Sequence, residues 1–174
     1  MKTIVQRCAI RQLSLVACSL LIAASVLGSE QPTVHVEPTD AVGPRTLEKQ
    51  TETGVIRDYL QAWRTLSNAF DQNRSDLLDQ YFVGAAKDKL TDAIRDRAKV
   101  GIQTRYSDKA HDLQLVFYSP EGLSIQLMDT VDYDVQVLDH DKIQAAQHVH
   151  ARYVAVLTPT EVRWKVRVFQ AEPK

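Results

Sequence analysis

The sequence predicts an α+β domain, with N-terminal helices packed on a strongly curved antiparallel sheet, and three observations carry that prediction. Apolar residues recur at helical spacing from about residue 51 to residue 100. After Gly101 the spacing switches to two. The switch happens once, so helices and strands are segregated along the chain, as in a domain whose helices cover one face of an antiparallel sheet.

The elements follow in order. Val55, Ile56, Tyr59, Leu60, Trp63, Leu66 and Phe70 recur at three- and four-residue steps and give one broad apolar helical face. Asn73 is expected to end this helix and Ser75 to cap the next, with Asp76 and Asp79 favouring its positive N-terminus. Asn73-Arg74-Ser75 also spells a glycosylation acceptor, but the helix end accounts for the same residues and is preferred. Leu77, Leu78, Tyr81 and Phe82 form a short amphipathic segment closed near Gly84. A third helix is expected over about 85–100, with Leu90, Ala93, Ile94 and Ala98 inward and Gly101 just past its end.

The strands begin, on this reading, at His111. From there to Tyr118, Leu113, Leu115 and Phe117 share a face, and Ser119-Pro120-Glu121-Gly122 makes a turn. Leu123, Ile125, Leu127, Val131, Tyr133, Val135 and Val137 alternate through a long second strand that turns at Asp139–Lys142. Strands over 143–157 and 162–169, joined by Thr158-Pro159-Thr160-Glu161, complete a meander.

Residues 1–28 read as a signal peptide. Lys2, Arg7 and Arg11 make a basic start, and Leu13–Leu27 is uncharged but short of the ~20 apolar residues that a spanning helix needs. An uncleaved signal anchor and a lipobox at Leu15-Val16-Ala17-Cys18 stay open as alternatives. Residues 29–50, with Pro32, Pro38 and Pro44, read as a linker, because proline blocks both helix and ladder pairing. The domain itself is placed at 51–174, and the chain is expected to be periplasmic or secreted, touching membrane only through the leader if that is kept.

Composition excludes some functions. Without the leader cations the basic count falls from 21 to 18 against 22 acids, a net charge of −4 with no basic block, which is wrong for nucleic acid. Both cysteines, Cys8 and Cys18, lie in the leader, so the remainder can form no disulfide and use no thiolate. No glycine-rich phosphate loop, serine triad context or zinc signature is present, and no cofactor is expected.

Over roughly 120 residues this order resembles the NTF2-like superfamily. Leu60-Gln61-Ala62-Trp63 in the first helix, Leu78–Gly84, and the closing hairpin Arg152–Leu157 with Val162-Arg163-Trp164-Lys165-Val166 carry the resemblance. Within the superfamily the chain looks most like small IMS-type domains. The resemblance implies three helices packed into the concave face of a bent sheet, forming a cone, and self-association through the sheet as in many members. It does not settle function, since the superfamily spans isomerases, dehydratases, adaptors and scaffolds.

Enzymes of that superfamily place an Asp or His, often with Tyr, inside the cone, where a desolvated carboxylate can exchange a proton with a carbon acid. Asp129 is the candidate here, falling in the apolar phase between Leu127 and Val131, with Tyr133 further along the same face. A buried acid there must be paired or protonated. The preferred alternative is a β-bulge near Asp129-Thr130 that shifts the phase, or a strand end projecting beyond the helices. Tyr81 and Tyr59 lie on helix faces that should line the cone, and are read first as core aromatics with their hydroxyls at its rim. No partner histidine is assigned to the inward phase; His111 and His35 are read as isolated.

His148 and His150 put two imidazoles on one side of a strand, where Asp139, His140 or Asp141 could add a third metal ligand. Val149, Ala151 and Tyr153 occupy the other phase, so the histidines are expected to face solvent and no metal site is assigned. Arg163, Lys165 and Arg167 alternate on the last strand and could form a basic stripe or guard the sheet surface. The function expected from the sequence is therefore a non-catalytic exported module that binds an envelope partner or itself. The alternative is a small apolar ligand or isomerase chemistry in the cone.

Overall fold

A computed structural model describes residues 31–39 and 43–173, so the leader lies outside the described residues. In chain order the elements are β1 (Thr33–Val36), α1 (Lys49–Asp71), a 3-10 segment (Ser75–Gln80), α2 (Gly84–Lys99), β2 (Ile102–Tyr118), β3 (Ile125–Asp139), β4 (Lys142–Pro159) and β5 (Trp164–Ala171). The strands form a five-stranded sheet in sequence order. From β2 to β5 the neighbours are antiparallel. The helices pack on one face of it, as the segregation of periods predicts.

The expected linker contains a strand. Thr33–Val36 runs parallel to Ala110–Leu113, and Glu37 N–H donates to Leu113 O (2.9 Å), so the sheet is mixed at one edge rather than wholly antiparallel. Pro32 and Pro38 exclude pairing at their own positions only. They bracket an edge strand of Thr and Val, the place where proline is tolerated.

α1 buries Val55, Asp58, Tyr59, Ala62, Trp63, Leu66, Ala69 and Phe70, which is the predicted face. Asn73 follows it in the left-handed region (φ 52°), and its Nδ2 donates to Ile102 O (3.0 Å), so this side chain ties the helix end to the start of β2. The segment after it is a 3-10 helix with Arg74, not Ser75, at its cap and no side-chain cap bond. α2 buries Ala86 and Ile94, while Ala98 is exposed rather than inward. Gly101 sits just past it at φ +70°, as a helix-ending residue should.

β2 starts nine positions before the expected His111, because Gln103, Arg105 and Ser107 hide the alternation of Thr104 and Tyr106. Register shifts interrupt the ladder between Asp108 and Ala110 and between Leu115 and Phe117. The second shift turns Phe117 out (39% exposed) and Tyr118 in, against the expected phase. Leu123 and Val162 lie outside the strands assigned to them, and both are exposed. Further shifts occur between Val137 and Leu138 and between Val156 and Leu157. Bulges of this kind bend strands, and they supply the curvature that lets a single sheet wrap α1.

One tie holds the two ends of the domain together. Asp58, buried on α1, accepts from the Trp164 backbone N–H (2.8 Å) through Oδ2 and pairs with Arg57 through Oδ1 (2.9 Å). That bond fixes the start of β5 against the first helix, and no sequence signal marked Asp58 for the task.

Candidate functional site

Asp129 points into the core. Leu113 faces it from β2 and Tyr153 from β4, with no register shift near it, so the bulge expected at Asp129-Thr130 does not occur. Its neighbours Leu127 and Val131 are fully buried, and so is the carboxyl (0% exposed). An acid in that position must be satisfied by polar partners.

Two partners converge on one carboxyl oxygen. Tyr59, on α1, donates its hydroxyl to Oδ2 (2.9 Å), and His111 Nδ1 lies 2.8 Å from the same atom. Facing a carboxyl oxygen, that ring nitrogen is the donor. Burial pushes the Tyr59 hydroxyl well above its usual pKa, with the Asp129 charge adding to the effect, so it stays protonated and donating. Asp129 Oδ1 has no hydrogen-bond partner.

His111 is the residue that sequence reasoning missed. It sits on β2 two positions before Leu113 and is only 2% exposed. The signal was present, since His111, Leu113 and Leu115 share one phase. Starting the strand at His111 made it look like an end residue, whereas nine residues of β2 precede it.

Trp63 roofs the cluster. Its ring packs edge-on against His111 (5.5 Å between centroids), Tyr153 (5.3 Å) and Phe169 (5.3 Å), and tilted against Tyr133 (6.0 Å). Tyr133 shares the face of Asp129 as expected, but its hydroxyl bonds to that of Tyr153 (3.0 Å), not to the acid. Burial and that bond hold the Tyr153 hydroxyl far above its usual pKa. Tyr81 is not part of the cluster. It lies between the 3-10 segment and α2, under the Arg163 guanidinium (4.7 Å). The five main surface grooves of the described residues are lined by none of Asp129, Tyr59, His111 and Trp63.

Towards the surface, His111 Nε2 lies 4.0 Å from Asp108 Oδ2. Asp108 borders an open groove of about 450 Å³ with Arg64, Ser67, Asn68 and Ser107. Burial raises its carboxyl pKa above the ordinary 3.8, while the nearby His111 charge opposes the rise. A raised folded pKa means that the protonated acid favours the fold, and that its ionisation disfavours it as pH climbs through the folded value. Asp108→Asn, neutral throughout, is therefore expected to be more stable than wild type at pH 7. The advantage should vanish as pH falls towards 3.8. Urea midpoints at both ends of that window read it, and a wild-type advantage at pH 7 would show that a charged His111 outweighs the desolvation.

The two surface histidines stand where the sequence put them, outside. His148 Nδ1 bonds to Asp134 (3.0 Å) and His150 Nδ1 to Asp132 (2.8 Å), each across to β3. Asp132 lies between them, with His148 Nε2 at 3.6 Å from its Oδ1, whereas His140 and Asp139 pair with each other at the β3–β4 turn and Asp141 is exposed there. The described group with metal-ligand spacing is instead His35, Glu37 and Asp112 at the β1–β2 edge, all exposed. Lys165 donates to Asp79 O (2.7 Å) and Arg163 covers Tyr81, so the basic stripe is partly spent on holding the 3-10 segment.

No family model matches this chain, and no curated protein matches it either. Solved structures do. The intermembrane space region of the chloroplast protein ARC6 superposes with a TM-score of 0.59 at 16% identity, covering 75% of this chain and 100% of that one. A protein described as a scytalone dehydratase, from Novosphingobium aromaticivorans, superposes with a TM-score of 0.51 at 12% identity, covering 72% of this chain and 89% of that one. A dehydratase assigned to the NTF2-like family, from Streptomyces avermitilis, gives 0.46 at 12% identity over 71% and 98%. The fold is the NTF2-like α+β cone that the helix and hairpin residues implied.

Proposed function

We propose that this domain is a non-catalytic module of the cell envelope that binds a partner protein or itself. One observation carries the reading: the cone is filled. The acid that a cone enzyme would use is fully buried, holds Tyr59 and His111 on one oxygen, and lies beneath Trp63 and its aromatic ring partners. A buried polar cluster in which Tyr59 and His111 both converge on Asp129 Oδ2 fixes one packing arrangement rather than receiving a substrate. The envelope location rests on the signal-like leader and is supported by likeness to a region of ARC6 that lies in an intermembrane space. No helix among the described residues is long and apolar enough to cross a membrane.

A second reading has its own observation. Asp129 Oδ1 is free, and His111 connects the buried acid towards Asp108 and the open groove. If Trp63 swung aside, an apolar small molecule could meet that oxygen, with Asp129 as base and Tyr59 as donor. The likeness to a protein described as a dehydratase is compatible with this isomerase-like chemistry.

Native mass spectrometry on the protein purified from its own envelope separates the two. The module is expected as a dimer or a complex with another protein, without a ligand mass, and the same spectrum gives the N-terminus of the exported chain. A monomer carrying a reproducible small adduct that Asp129→Ala abolishes would overturn the module in favour of the pocket.

A further inference from the structure

Among the described residues, the outer edge of β4 is bare over a little more than half of its length. β5 pairs with β4 only from Tyr153 to Pro159, and Glu172 N–H adds a last bond to Arg152 O (2.8 Å). Among the described residues, Lys142–Ala151 pairs with β3 alone. Hydrogen-bonding direction alternates along a strand. The bond at Arg152 therefore fixes that His150, His148 and Ala146 turn both backbone groups towards the bare edge.

Nothing on that edge deters pairing. Exposed edges are ordinarily blunted by charge, proline, a bulge or a covering element. Ile143–Ala151 contains no Lys, Arg, Asp, Glu or Pro. Its one irregularity lies at Gln144, opposite the shift between Val137 and Leu138, which leaves Ala145–Ala151 regular. The far side of the sheet is different: β1 covers part of β2, and Arg105, Asp108 and Lys109 stud the uncovered part. The two edges of one sheet are thus treated in opposite ways.

We propose that the Ala145–Ala151 edge of β4 pairs antiparallel with the same edge of a second copy across a two-fold axis, joining two sheets into one. This deepens the self-association in the proposed function and rests on that reading. A strand edge is complementary to itself under a two-fold, so one copy supplies the donors and acceptors that the other lacks. Charge selects a second copy as the occupant. On the solvent face each copy sets His148 against Asp134 and His150 against Asp132, with Lys109 beyond Asp134 (3.7 Å), so the carboxylates lie one strand back from the edge. Two chains that are each net acidic then meet along a seam of imidazole, alanine and glutamine, with no carboxylate facing another.

Sedimentation of the full chain purified from the envelope tests the pairing. Wild type is expected to sediment as a dimer. Ala146→Pro removes one outward donor per copy without touching the β3 ladder, and Ala146→Lys keeps the donor but adds a like charge on each side of the axis. Each is expected to raise the dissociation constant by about tenfold or more, since a symmetric interface feels every substitution twice. The lysine variant also carries the test if the proline variant does not fold. A wild-type dimer that survives both substitutions overturns the edge but leaves self-association through the sheet face or cone mouth. A wild-type monomer that still co-purifies with an envelope protein overturns self-pairing and leaves the partner-binding reading in place.

Discussion

Asp129→Ala is expected to destabilise the domain by about 3–5 kcal/mol, the usual cost of removing one member of a buried charged or hydrogen-bonded pair. The substitution strands two donors at once. Tyr59 Oη and His111 Nδ1 both rely on Oδ2, both residues are essentially unexposed, and the carboxyl nearest the other ring nitrogen, that of Asp108, stands 4.0 Å away, beyond hydrogen-bond range. Against a typical total of about 5–15 kcal/mol, such a loss leaves a marginal protein. The measurement is the urea midpoint at unchanged slope, which isolates stability from any change in the surface exposed on unfolding. A variant as stable as wild type, or more stable, would mean that the carboxyl is held at a cost, as functional groups often are, and would favour the pocket reading.

The second large effect concerns the roof. Trp63→Ala is expected to cost about 3–5 kcal/mol, because it removes a large buried side chain and the surrounding rings can only partly close the space. Its neighbours Tyr133, Tyr153, His111 and Phe169 come from four different strands, so a collapse would have to move most of the sheet. An apolar cavity of that origin takes up small aromatic molecules. Added indole should therefore raise the thermal midpoint of Trp63→Ala and leave wild type unmoved. If indole stabilises wild type as well, the cone has room of its own and the filled interior is not the resting state.

The fold was legible because packing periodicity records which face is buried. The α1 face, the turn at Ser119–Gly122, the turn at Asp139–Lys142 and the closing hairpin all follow from spacing and turn chemistry. Pattern failed where polar residues held apolar positions or where a bulge moved the phase. Thr104 at a buried position and the polar residues around it concealed the first half of β2, and the shift at Phe117 reversed an assignment that alternation alone had made. The site was half legible. Asp129 stood out as an acid in an apolar row, but its partners lie 18 and 70 residues away in sequence, and no spacing rule joins such positions. Tyr81 was a poorer guess than Tyr59 because facing the core does not say which end of the cone a side chain reaches.

The first strand carries a consequence for how the chain becomes native. β2 to β5 assemble from neighbours in sequence, each closing a short turn, whereas Thr33 must wait for Ala110 to be in place. Closing so long a loop costs entropy that four residues of pairing only modestly offset. β1 is then the last piece to dock and the first to leave, opening with a free energy well below that of global unfolding. Each excursion bares the backbone of β2 at Ala110–Leu113, the stretch that bears His111. The buried Asp129–His111 cluster thus lies one departing strand away from an exposed edge, and amide exchange there would report the latch rather than the core.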